Sequence, residues 1–412
     1  MHQQIKLKTT IISSLGSLFE TFDFYIFGLF ALQISVALFN SESFNNSLIL
    51  TFAIFSVGYL ARPLGGFFWG NMGDKLGRKV PFRWTVCLIG VSSILIGFLP
   101  SYETLGVLTP LILASCRLVQ GFSYGGELSA AVLLTYEQPI KYKAFFSSVV
   151  IACATFGMIL ASITYYLLSL MLTPEQFINY SWRIAFIFGG LMMFFSYYQR
   201  RSLNETLPEM PLMEGVVGLN LLKKKKLKLF SSILIAASSA VFVSVIIVFL
   251  PTYCQKFLNI DAQTTASFGL VCVLTYAIST LFGGLIAEKM NHQNTLILGI
   301  FIAFLSLIPL AYFLVNHYFL SAMIFFIIFS FANGLINANY MCIMLNQFKA
   351  SERFSGLAIS QNVAMAIFTG LLPLLLTYML SKWMIILAPF YLLITLYLVA
   401  LFGLFLTRKL KS

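Results

Sequence analysis

Long, almost uncharged apolar runs recur along the whole chain, and few folds can hold them. They cover approximately residues 10–38, 47–70, 82–100, 105–134, 144–171, 180–200, 229–252, 262–287, 293–315, 317–345, 353–380 and 383–407. Each is near or above the roughly 20 residues an α-helix needs to cross a bilayer. Inside hydrocarbon the backbone must satisfy its own hydrogen bonds, so such runs are helical. The expected fold class is therefore all-α integral membrane, with twelve transmembrane helices. Only 10% of the 412 residues are charged, against roughly 25% in a soluble globular domain.

The formal net charge of +12 invites a nucleic-acid partner, but the placement of the charges argues against one. With loops taken alternately, one set holds 21 of the 26 Lys and Arg residues. The other holds only Lys256 and Lys382, with Arg62, Arg117 and Arg183 left within or at the ends of spans. Basic loops stay on the cytoplasmic side, so both termini are expected there, in a multi-pass protein of the inner (cytoplasmic) membrane. The N-terminus shows no signal-peptide cleavage pattern, and its first run is expected to remain as a helix. The six cysteines are scattered singly, which points to small buried hydrophobes and to neither a disulfide framework nor a metal site. His2, His292 and His317 lie at the terminus or in loops, which excludes an intramembrane histidine relay.

One long connection separates the sixth and seventh runs and carries Lys223 to Lys226. It divides the chain into an N-terminal six-helix bundle (1–202), a cytoplasmic central loop (203–228) and a C-terminal six-helix bundle (229–412). An internal repeat supports two related halves. After the second run lies Gly70-Asn71-Met72-Gly73-Asp74-Lys75-Leu76-Gly77-Arg78-Lys79, a charged glycine-rich turn. After the second run of the other half, Gly284, Glu288 and Lys289 recur in register with Gly70, Asp74 and Lys75. Glycine lets helix ends approach closely, and an acid beside basic groups can hold them by charge-assisted hydrogen bonds. We read the pair as an asymmetric cytoplasmic gate, tighter at Gly70, Asp74, Lys75, Gly77, Arg78 and Lys79 than at Glu288 and Lys289. An ordinary basic membrane loop is the plainer reading of either copy alone.

Three acids fall inside spans: Glu20, Asp23 and Glu127. A carboxylate at mid-membrane costs at least about 2.5–3.5 kcal/mol, which makes a functional reading the default. Glu20 and Asp23 are three residues apart and share one helix face. In the fourth run, Arg117 is followed by Gln120, Gly121, Gly125, Gly126 and Glu127. Rising and falling helices bring Asp23 and Arg117 to similar depths, so they are expected to pair, leaving Glu20 or Glu127 to carry a coupling proton. A purely structural ion-pair network is the alternative. Arg62 either snorkels to the interface or contacts the cavity. Gln361 and Asn362 add uncharged hydrogen-bonding groups in the eleventh run. With no nucleotide-binding loop and no acid/histidine metal cluster, energy is expected from an ion gradient or the substrate's own gradient, with no cofactor and no enzymatic activity.

At these residues the sequence resembles the major facilitator superfamily, and within it the metabolite:H+ symporter family of proline/betaine, 2-oxoglutarate, citrate and shikimate transporters. Its loop signature is matched at Gly70, Asp74, Lys75, Gly77, Arg78 and Lys79, and its fourth-span pattern at Arg117, Gln120, Gly121, Phe122, Gly125, Gly126 and Glu127. Looser matches lie at Phe19 to Tyr25, Arg62 to Gly66, Trp182 to Ile184 and Leu250 to Tyr253. The resemblance implies two pseudo-symmetric six-helix halves working by alternating access. It also implies proton-coupled symport of a small polar metabolite, with Glu20, Asp23, Arg117, Gln120, Glu127 and Asn362 around substrate and proton. Thr21, Leu128 and Gln361 depart from the family pattern. The expected cargo is a zwitterionic osmolyte or amino acid such as proline or betaine, or a small organic acid. The expected partners are that substrate, protons and the lipid bilayer, and the chain is expected to act as a monomer. A drug or metabolite exporter of the same fold is the alternative.

Overall fold

Segments shielded from water have no partner for their amides except their own carbonyls, and the regular structure follows the apolar runs. The computed structural model describes residues 18–39, 44–76, 79–124, 127–136, 142–201 and 225–409, and its regular elements there are all helical. They are α1 (Leu18–Leu29) and α2 (Ala31–Leu38); α3 (Phe44–Leu76), α4 (Lys79–Gly97), α5 (Leu108–Ser123) and α6 (Glu127–Tyr136); and α7 (Lys143–Met171) and α8 (Pro174–Arg201). The chain continues with α9 (Lys226–Phe257), α10 (Ala262–Met290), α11 (His292–Val315) and α12 (Phe319–Leu345). It closes with α13 (Arg353–Lys382) and α14 (Ala388–Lys409). Among the described residues nine of these helices are long and apolar enough to cross a membrane, and the α1–α2 pair makes a tenth. Of the other two expected spans, the third is α4, with a shorter apolar stretch from Arg83 to Gly97. The fourth is divided into α5 and α6.

Two expected spans are not single straight helices. The first bends by 63° between α1 and α2. No proline lies there; Gly28, two residues earlier, lowers the cost of the bend. The fourth leaves helical geometry at Tyr124 (φ −84°, ψ 86°), just before a pair of glycines. Within α9 and α13 the backbone widens to i→i+5 turns at Val243–Phe249, Tyr253–Phe257 and Ala366–Gly370. The first and third of these are tied by Ser244 Oγ, which donates to the Thr369 carbonyl at 3.3 Å, and Thr369 Oγ1 donates back to the Ala240 carbonyl of α9 at 3.2 Å.

The helices expose apolar side chains and bury polar ones. Along α3, Leu60, Leu64, Phe67 and Phe68 are exposed, whereas Phe52, Phe55, Tyr59 and Arg62 are buried. That pattern suits a lipid solvent, in which apolar surface gives helices no reason to associate and close packing of small residues must do so. Gly58, Gly65 and Gly121 supply it here. A Cβ on Gly121 would lie 1.8 Å from the Gly58 carbonyl oxygen, and one on Gly65 would lie 1.7 Å from that of Phe122. Backbone therefore meets backbone between α3 and α5, and Trp69 Nε1 donates to the Phe122 carbonyl at 3.0 Å.

The residues group into two compact units, 1–127 with 157–214 and 128–156 with 215–412. In the first, α1 packs against α8 through Phe22 and Phe188, whose rings meet edge to face at 5.6 Å. In the second, α12 lies between α10 and α11. A Cβ on Gly299 would lie 2.8 Å from the Ala332 carbonyl, and one on Gly283 would lie 2.8 Å from Ala338 Cβ.

Candidate functional site

Asp23 projects from α1 into the first unit and is fully buried. Two donors meet its carboxylate. Ser93 of α4 donates to Oδ1, and Gln120 of α5 donates from Nε2 to Oδ2 at 2.8 Å. The same Gln120 nitrogen lies 2.8 Å from Ser93 Oγ. On its other side, Gln120 Oε1 accepts from Arg117 Nη1 at 2.9 Å. Asp23 and Arg117 thus belong to one network, but the direct ion pair expected from their depths does not form. Gln120 sits one helical turn beyond Arg117, on the same face, and its amide fills the gap with an acceptor toward the cation and a donor toward the anion.

Arg117 is also fully buried, and its Nε and Nη2 have no hydrogen-bond partner. Aromatic faces surround it instead, with Cζ 4.3 Å from the Phe24 centroid and 4.6 Å from that of Phe27. Gly58 makes room: a Cβ there would stand 3.5 Å from both unpartnered nitrogens.

Arg62 does not reach for the interface. It is buried, with Cζ 3.8 Å from the Phe24 centroid, 4.0 Å from Tyr59 and 4.0 Å from Tyr124. Desolvated contacts of this kind are worth about 2 kcal/mol or more, enough to hold a guanidinium away from water. Phe24 therefore serves two guanidinium groups at once. Tyr124 lies 3.3 Å, hydroxyl to hydroxyl, from Thr21, one of the positions that departs from the family pattern. Glu20 is buried one turn before Asp23.

The remaining candidates separate. Glu127 begins α6, and its side chain, together with Gly125 and Gly126, lies outside the described residues. Asn362 Nδ2 donates to the Ala358 carbonyl of its own helix at 3.0 Å. Of the first loop copy, α3 runs on through Leu76, so residues 70–76 have helical backbone where a turn was expected. The side chains of Asp74, Lys75 and Lys79, and all of Gly77 and Arg78, lie outside the described residues, as does any contact of Gly70.

The second copy is fully described. Glu288 Oε1 accepts from the backbone amides of Ala144 at 2.7 Å and Phe145 at 3.2 Å. These belong to the first turn of α7, whose amides lack intrahelical partners and attract an anion. A Cβ on Gly284 would lie 2.1 Å from Ser148 Oγ, so the glycine permits this joint. Lys289 is exposed. His292, expected in a loop, instead opens α11, with Nδ1 2.7 Å from Asn339 Oδ1.

Sequence reasoning did not single out Ser93, Tyr59 or Phe24. Ser93 offered a weak signal, a hydroxyl in an apolar run at a depth comparable to Asp23. Serine is common in such runs, and only the packing shows where this one points. Among the described residues no His/Cys/Asp/Glu cluster could hold a metal ion.

A bundle of membrane-length helices around a buried, hydrogen-bonded charge network is the construction of a secondary transporter. The chain belongs to the major facilitator superfamily, whose family model matches residues 14–370. It is 30% identical over 402 residues to a putative proline/betaine transporter of Staphylococcus aureus (strain COL), covering 93% of this chain and 84% of that one. It is 31% identical over 399 residues to the shikimate transporter of Escherichia coli (strain K12), covering 89% and 87%. With the citrate-proton symporter of Klebsiella pneumoniae it shares 30% identity over 372 residues, covering 88% and 83%. In fold it is similar to a D-xylose-proton symporter, with a TM-score of 0.76 at 13% identity over 96% of this chain and 97% of that one. The resemblance read from the motifs is borne out, and so is the twelve-helix major facilitator fold.

Proposed function

We propose that this transporter is a proton-coupled symporter that imports a small polar metabolite bearing a carboxylate, by alternating access in the inner membrane. Its substrate class is a zwitterionic osmolyte or amino acid such as proline or a betaine, or a small organic acid. The observation that carries the reading is the chain Asp23–Gln120–Arg117, a carboxylate and a guanidinium joined by one amide in a fully buried site. In this reading Arg117 holds the substrate carboxylate with the donors it leaves unpartnered. Asp23 takes the proton, and Gln120 links the two events, because an anion on Arg117 changes the charge that Asp23 faces. Arg62 adds a second buried cation that favours an anionic group nearby. The named relatives support this reading, since one is named as a putative proline/betaine transporter, one as a shikimate transporter and one as a citrate-proton symporter.

The test is uptake of L-proline, glycine betaine, shikimate and citrate by proteoliposomes with and without an inward proton gradient. The gradient should drive accumulation of at least one of them. Asp23→Asn should abolish gradient-driven accumulation while sparing exchange. Intact coupling in Asp23→Asn would remove Asp23 as the proton carrier, and intact coupling in Glu20→Gln and Glu127→Gln as well would remove a carboxylate mechanism altogether.

A further inference from the structure

The interior of the second unit contains no buried charged side chain among the described residues, but it is rich in amides. The three buried asparagines of α12 are partnered at both ends. Asn333 accepts from Tyr397 Oη at 2.6 Å and donates to the Phe329 carbonyl at 2.8 Å. Asn337 accepts from Ser239 Oγ at 3.1 Å and donates to Thr280 Oγ1 at 3.3 Å. Asn339 meets His292 and donates to the carbonyls of Gly283 and Leu335. Gln347 lies just past the end of α12, where its Oε1 accepts from Ser231 Oγ at 2.7 Å, and it leaves only a donor over.

Gln361 is different. It sits eight residues into α13, about 12 Å along the helix from its start, and is 7% exposed. Its Nε2 donates to Tyr340 Oη at 2.9 Å, which orients the amide, and its Oε1 has no partner. A buried acceptor left unmade costs more than the bond would have contributed, so the group calls for a donor that is not part of the protein. Little more than one turn further along, α13 widens at Ala366–Gly370, the kind of irregularity that recurs at functional sites. Thr369 within that wide turn bonds across to α9.

Resting on the transport reading above, we infer that Gln361 Oε1 is a substrate subsite that accepts an N–H or O–H from the cargo. The cargo it suits is an amino or imino acid, or a hydroxy acid, and it disfavours a fully N-methylated betaine. A donor-bearing ligand fills the acceptor, whereas a methylated analogue leaves it buried and unpaired, and a site of that kind rejects the analogue. Being neutral, the subsite reads hydrogen-bond donors without adding charge, whatever holds the carboxylate.

The experiment compares binding within matched pairs to the purified full-length chain, by calorimetry and ligand-induced thermal shift without a gradient. The pairs are L-proline and N,N-dimethylproline, glycine and glycine betaine, and malate and succinate. In at least one pair the donor-bearing member should bind about tenfold or more tightly, and Gln361→Leu and Gln361→Met should collapse that ratio. Each variant removes the unmet acceptor but also the bond to Tyr340 Oη, so both should still fold, with stability within about 1.5 kcal/mol of wild type. Equal affinity within every pair, a ratio unchanged in both variants, or no member of any pair bound would overturn the inference. If one variant fails to fold, the other carries the test, and equal affinities in wild type overturn the inference without either. Failure of proton coupling would show in the liposome assay with the pairwise ratio intact, so the two readings fail separately.

Discussion

The two units solve the problem of polar groups in a membrane in opposite ways. The first buries Glu20, Asp23, Arg62 and Arg117, four ionisable side chains. In the second, the buried polar groups among the described residues are hydroxyls and amides. An ionised group at mid-membrane costs several kcal/mol unless neutralised, whereas an amide can be satisfied by two neighbours and then contributes about 1 kcal/mol per bond. The second unit takes the cheaper course, with no buried charge among its described residues and with the three buried asparagines of α12 partnered at both ends. The first leaves two nitrogens of Arg117 and the Nε of Arg62 unmade and covers both cations with aromatic faces. Charge of that kind is retained where the chemistry itself concerns charge, and the functional reading leans on this asymmetry.

The comparison is most directly broken by disturbing the packing behind the charges. Gly121→Val places a Cβ 1.8 Å from the Gly58 carbonyl oxygen, and no side-chain rotation relieves a clash with backbone. Size-exclusion chromatography and thermal unfolding should show loss of the folded, monodisperse protein. Gly269→Ala in the second unit meets nothing within 4 Å and should leave stability unchanged or raise it by up to about 1 kcal/mol.

A double-mutant cycle sharpens the contrast next. Asp23→Asn and Arg117→Gln each strand a buried charge and should each destabilise by about 3–5 kcal/mol, as such truncations do. Together they should cost less than the sum, with about 0.5–3 kcal/mol of coupling carried through Gln120. Strict additivity would mean that the amide bridge transmits nothing. In the second unit Asn337→Ala should cost only about 1 kcal/mol per lost bond.

The smallest effect belongs to an acid outside the spans. Asp261 caps α10, accepting from the Thr264 amide at 2.7 Å. Partial burial pushes its pKa up, but hydrogen bonds from the Thr264 amide and side chain and from the Gln263 amide outweigh this and hold it below the ordinary value of 3.8. A carboxyl lowered on folding stabilises above its unfolded pKa and loses that contribution as the pH falls through the folded one. Asp261→Ala should therefore cost about 1 kcal/mol at neutral pH. The gap to wild type should close in unfolding measured below about pH 4.

Much of this was legible in the sequence because membrane insertion writes itself into composition. Apolar runs locate helices wherever the solvent is hydrocarbon, and acids or cations inside a run are rare enough to be noticed one by one. That is how Glu20, Asp23, Arg117 and Gln120 were found, and the structure gathers the last three into one network. Ser93 was invisible because a lone hydroxyl in an apolar run is ordinary. Arg62 was undecided because a long cationic side chain can either snorkel or stack, and only the positions of Phe24, Tyr59 and Tyr124 choose. The expected pairing of Asp23 with Arg117 was correct in depth and wrong in contact, since helical rise fixes height but not which neighbour intervenes.

By itself the sequence determined the class of the protein, the number and order of its apolar spans and the identity of its buried charges, because each is a local cost that every residue meets in lipid. Tertiary structure alone decided that Gln120 stands between Asp23 and Arg117, that two guanidinium groups share Phe24, and that Glu288 holds the first turn of α7. Those outcomes depend on how closely glycine lets backbones approach and which faces then meet, and no periodicity along a single chain records it.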